Sequence, residues 1–142
     1  MKDEIITIKT ARLLKEKGFD IAGVNVYTEY HKTHKSDNPS FAMKKGEIEF
    51  DSSFYFINNH HGCDYSNKNY TMYSAPTQSL VQRWIREKHN LIILVGFYDT
   101  DDENNYFYSL IGHPRELQED EYYKTYEEAM EIGLYRVLSE IK

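Results

Sequence analysis

From residue 7 the chain reads TIKTARLLKEKGF. Ala11, Leu13 and Leu14 fall on one side of an α-helix and the charged positions fall on the others, which predicts a helix over residues 8–17. Thr7 stands where an N-cap oxygen is needed, and Gly18 followed by Phe19 offers a left-handed stop with its hydrophobic contact. Residues 24–30 are β-rich, and the HKTHKSDNPS that follows has the polar, Asn-Pro character of a loop. In SFAMKKGEIEF, a three-residue turn with Gly46 at the position that favours positive φ predicts a hairpin. From Glu47 onward Ile48, Phe50, Phe54 and Phe56 alternate with polar neighbours, the period of a strand with one face in the core.

Residues 58–69, NNHHGCDYSNKN, have no period and form a long loop. Residues 74–90, SAPTQSLVQRWIREKHN, return to helical spacing. Leu80, Val81, Trp84, Ile85 and the stem of Lys88 make one stripe, while Gln82, Arg83, Arg86 and Glu87 point elsewhere. Ser74 or Thr77 can cap this helix, with Pro76 in its first turn and Lys88 and His89 at the end that favours cations. Trp84 is therefore expected in the core. Residues 91–98, LIILVGFY, are apolar on both alternating faces, which predicts a central strand covered on both sides. The turn DTDDENN joins it to YFYSLI as an antiparallel pair. A T-x-x-E capping box at Thr125 and Glu128 opens a last helix, whose broad apolar side runs from Tyr126 through Ala129, Met130, Gly133, Leu134, Val137 and Leu138 to Ile141.

The order is α-β-β-β-α-β-β-α: an α+β fold with three helices and a largely antiparallel sheet. At 142 residues, without an internal repeat or a linker, residues 1–142 are expected to form one domain. Apolar residues at 40% with only 3 Pro and 7 Gly set the chain apart from disordered sequences, and 13 Tyr supply strands with large side chains that keep a polar tip. The charged start MKDEIITIKT does not read as a signal peptide, and no apolar run approaches a membrane span, so a cytoplasmic protein without membrane contact is expected. Cys63 is the single cysteine and leaves no internal disulfide. Residues 1–98 carry 13 Lys and Arg against 11 Asp and Glu, whereas residues 99–142 carry 4 against 12. The acidity thus sits in the C-terminal third, which argues against coating a nucleic-acid backbone and leaves a protein partner as the expectation.

Three sets of residues carry candidate chemistry. Arg83 and Arg86, with Lys9, Arg12 and Lys15 on the first helix, offer cations to nucleic acid, and Gln78 and Gln82 beside the arginines have base-edge chemistry. The first helix and its connection do not form the helix-turn-helix that would present them. The α-β-β-β-α run superficially resembles double-stranded-RNA-binding domains, but the last helix opens with Thr125, Tyr126, Glu127 and Glu128, which would repel phosphates. His31, His34, His60, His61 and Cys63 could converge from two loops on a metal, although H-x-x-H and H-H-x-C are not tight zinc spacings. Asp99, Asp101 and Glu103 alternate like calcium ligands, but Asn104 and Leu110 stand where that loop needs Gly and Glu. No phosphate-cradling glycine motif, G-x-S-x-G or H-E-x-x-H occurs, and nothing places a base beside Cys63, so neither a catalytic residue nor a cofactor is expected.

The segments TARLLKEKGFD, APTQSLVQRWIREKHN and TYEEAMEIGLYRVL resemble recurring blocks of small uncharacterised phage and prophage proteins of intestinal bacteria. The blocks and the apolar strand after the second cover roughly half of the chain. The resemblance implies a mobile-element origin and life in a bacterial host's cytoplasm, and it implies no activity. Together these readings point to a non-enzymatic accessory protein that acts through protein contact, with a nucleic-acid-binding factor and a metal-binding protein as alternatives.

Overall fold

A computed structural model describes residues 3–19, 21, 25–33, 44–51, 69–99, 102–112 and 121–141. Helix α1 spans Ile8–Glu16, one residue shorter than expected because Lys17 is its C-cap. The Thr7 hydroxyl accepts from the Thr10 N–H at its start, and Gly18 follows at φ +82°. Strands β1 (Asn25–Tyr30), β2 (Ile48–Asp51) and β3 (Tyr70–Ala75) come next, then helix α2 (Gln78–His89), strands β4 (Ile92–Phe97) and β5 (Tyr106–Ile111), and helix α3 (Tyr126–Glu140). The fold is α+β in the expected order, with three helices and five antiparallel strands.

The strands form two sheets: β2-β1-β3, and a separate β4-β5 ribbon. In the first, Tyr27 lies opposite both Phe50 and Tyr73. Helix α1 packs on β3 and on α3, and α3 in turn packs on α2 and on both strands of the ribbon. Gly133 makes that last approach close, because a Cβ there would lie 3.1 Å from both Ile93 Cγ2 and Tyr108 Cγ. One core results, in which Leu14, Phe19, Trp84, Ile93, Tyr108 and Leu134 are all buried.

Several expectations change. The third strand is Tyr70–Ala75, a stretch the hydrophobic pattern did not mark. Gly46 has the positive φ expected of it, +88°, but the expected first arm of that hairpin, residues 40–43, lies outside the described residues, as do residues 52–56. Ile48 and Phe50 were expected on a core face and are exposed instead, because β2 is an edge strand and α1 packs on β3 rather than on β2. Thr77 rather than Ser74 caps α2. Pro76 precedes that cap instead of sitting in the first turn, and its carbonyl accepts from the Ile6 N–H. Lys88 and Tyr126, placed on apolar stripes, are exposed. Most consequential is β4: it is covered on one face only.

Candidate protein-binding surface

Trp84 is 3% exposed, with Phe19 edge-on at 5.5 Å and His89 edge-on at 5.1 Å. Val81 and Ile85 are buried beside it, so α2 is a packing helix, as its stripe requires. Its polar side chains also have structural partners. Gln78 is buried and donates to the Glu127 carbonyl and to Glu131 Oε2, and Gln82 Nε2 donates to the Ile93 carbonyl at 2.8 Å. Arg83 pairs with Glu87 one turn on, which holds the Glu87 carboxyl below its ordinary pKa, and Arg86 is exposed.

The cations of α1 are similarly engaged. Lys9 Nζ lies 4.3 Å from the centroid of the Tyr135 ring, Arg12 is paired with Glu29, and Lys15 donates to the Met72 carbonyl. Tyr73 joins the Arg12–Glu29 pair by donating to Glu29 Oε1. Burial first, and then the Glu29 charge, push the Tyr73 phenol above its ordinary pKa. Five side chains that could hold phosphates thus divide between intramolecular partners and, at Arg86, open solvent.

For the metal alternative, His31 is exposed and bonds Thr71 Oγ1 through its Nε2, while His34, His60, His61 and Cys63 lie outside the described residues. Among the described residues no three His, Cys, Asp or Glu side chains are grouped as metal ligands. In the acidic turn, Asp102 Oδ1 accepts from the Glu103 N–H and Glu103 faces Lys124 at 3.5 Å, which is turn chemistry; Asp101 lies outside the described residues. Between α1 and α3, Glu131 accepts hydrogen bonds from the Thr7 N–H and hydroxyl, the Thr10 hydroxyl and the Gln78 amide. A carboxylate at the N-terminus of α1 complements that end of the helix dipole and locks three helices together.

The exposed side of the ribbon is different in kind. The register pairs Ile92 with Ile111, Leu94 with Ser109 and Gly96 with Phe107 on one face, and Ile93 with Leu110 and Val95 with Tyr108 on the other. The second face packs on α3. On the first, Ile92 is 38%, Leu94 47% and Ile111 48% exposed. Phe107 lies across Gly96, where a Cβ would come 2.4 Å from the ring. Tyr98 continues the same face, and Tyr122 stands beside it, 6.5 Å from the Tyr98 ring and 6.0 Å from the Phe107 ring. The strip holds no charged side chain, although it borders the most acidic third of the chain.

The sequence pattern missed this surface because it was read as the hidden side of a central strand. A run apolar on both faces says how much apolar area a strand carries, not what covers it. No transmembrane-length apolar helix occurs among the described residues. Compared with protein family models, curated proteins and solved structures, the chain matches none.

Proposed function

We propose that the chain is an accessory protein of phage or prophage type that acts by contact with another protein, through the outer face of the β4-β5 ribbon. The observation that carries this reading is the contiguous, uncharged strip in which Ile92, Leu94, Tyr98, Ile111 and Tyr122 are exposed and Phe107 is half-buried. Contiguous apolar patches on otherwise charged surfaces mark places where another molecule docks. Asp99 and Glu121, exposed and next in sequence to Tyr98 and Tyr122, favour a partner whose apolar patch carries Lys or Arg at its rim, since such charges quicken encounter and select orientation.

Capture from a bacterial host lysate, with the native chain compared against Leu94→Glu, Ile111→Glu and the distant control Glu16→Gln, tests the reading. A protein retained by the native chain and by Glu16→Gln, and lost from both strip variants, is the expected result. Retention of the same protein by Leu94→Glu and Ile111→Glu overturns it.

A further inference from the structure

The backbone of β4 carries a second kind of information. Tyr98 donates its N–H to the Asn105 carbonyl at 2.8 Å, which makes these two a hydrogen-bonded pair of the ribbon. Stepping back by twos, Gly96, Leu94 and Ile92 direct their backbone groups at β5, so Phe97, Val95 and Ile93 direct theirs outward. Two contacts obey this alternation. Gln82 reaches the outward carbonyl of Ile93, and on the opposite edge Tyr106 exchanges both backbone bonds with Tyr123, at 2.9 and 2.6 Å. Among the described residues, no group takes the outward N–H and C=O groups of Val95 and Phe97.

We infer that β4 pairs through this edge with β4 of a second copy of this chain, antiparallel about Gly96, so that two ribbons join into one four-stranded sheet. Edge strands ordinarily guard themselves with charge, proline, a bulge or a covering element. The edge strand β2 reads IEFD and is guarded in that way, whereas β4 reads IILVGF and is not.

The register follows from what is already occupied. A pairing centred on Val95 would need the Ile93 carbonyl, which Gln82 holds. Centred on Gly96, Val95 lies opposite Phe97 of the second copy and Phe97 opposite its Val95, each pair exchanging two hydrogen bonds. Gly96 then meets Gly96 at the close, non-hydrogen-bonded position. Phe97, 58% exposed in the single chain, gains an apolar neighbour in the Val95 side chain across the seam.

The self-pairing is favoured over an unrelated peptide strand because the window is closed at one end by Gln82 and holds only two outward residues. A foreign strand gains those pairs alone, while a second copy covers both exposed phenylalanines. No charged side chain opposes another along the paired segment. The copies each carry a net charge of −6, so salt should tighten the association by screening their mutual repulsion. The inference goes beyond partner docking and does not need it, since pairing uses the strand edge and leaves the outer faces of both ribbons open side by side.

Sedimentation velocity of the full chain, from roughly micromolar to millimolar protein at low and moderate salt, is the test. A reversible monomer–dimer equilibrium that shifts toward dimer with salt is expected, with the Val95 and Phe97 amides gaining hydrogen-exchange protection as the dimer forms. Phe97→Pro removes an outward N–H without cutting the β4-β5 ladder, and Phe97→Lys supplies a guarding charge if the proline variant does not fold. Both variants should remain monomeric at concentrations where the native chain is dimeric. A native chain that stays monomeric throughout overturns the inference, as does a dimer that persists in Phe97→Lys. Neither outcome bears on capture of another protein by the strip, so the two readings fail separately.

Discussion

Trp84 illustrates how one side chain fixes the reading of its helix. With Phe19 on one side of the indole and His89 on another, truncation leaves a cavity that α2 alone cannot close. Trp84→Ala is therefore expected to cost about 3–5 kcal/mol, measured by urea unfolding. Glu131 acts through several partners at once. Glu131→Ala leaves the buried Thr10 hydroxyl without its acceptor and the Gln78 amide with the Glu127 carbonyl alone, an expected loss of about 1–3 kcal/mol in the same measurement. Tyr30 has a titration consequence. Burial first, and the hydrogen bond it donates to Glu49 second, push its pKa up to about 12. Burial likewise raises Tyr27 and Tyr73. A phenol whose pKa is raised by folding contributes stability that is whole below its unfolded value and is lost as pH climbs toward the folded one. Stability should thus decline between about pH 10 and 12. In a spectrophotometric titration, Tyr30→Phe should remove a phenol that ionises well above the ordinary tyrosine range.

At the scale of elements, α3 reaches the ribbon only because residue 133 lacks a side chain. Gly133→Val forces branched carbons against Ile93 and Tyr108, and overpacking of about 1–3 kcal/mol should appear as a lowered thermal midpoint. All three helices could be read from the sequence because each shows its apolar side and its cap together: Thr7, Thr77 and Thr125 each accept from a backbone N–H in the first turn. The β4-β5 pair was equally legible, since its acidic turn lies between two apolar runs. Tyr70–Ala75 was not, because YTMYSA mixes tyrosines with small polar residues and half of its environment is set by β1, far back in sequence. Exposure was the other blind spot. Nothing in LIILVGFY distinguishes a strand roofed on both sides from one roofed by α3 alone, and the candidate surface lies in that difference.

For the molecule as a whole, the outer strip and the core are separable. Leu94→Glu and Ile111→Glu change side chains that the core does not use, so calorimetry should show unfolding within about 0.5 kcal/mol of the native chain even where capture of a partner is lost. That separation lets binding and folding be perturbed independently, which a buried central strand would not permit. Of the candidate metal ligands, only His31 lies among the described residues. Arginines and lysines scattered by sequence found carboxylates, carbonyls and a ring within their own fold, and sequence spacing cannot foresee such distant partners.

Thr7 and Glu131 stand 124 positions apart, and Lys17 meets the Ile141 carbonyl across the same interval. During synthesis the opening helix therefore waits, its first turn without the Glu131 carboxylate and its last turn untethered, until the closing helix has left the ribosome. A chain halted before α3 should show an unprotected α1 in pulsed hydrogen exchange, and completion of the closing helix should lock both ends together.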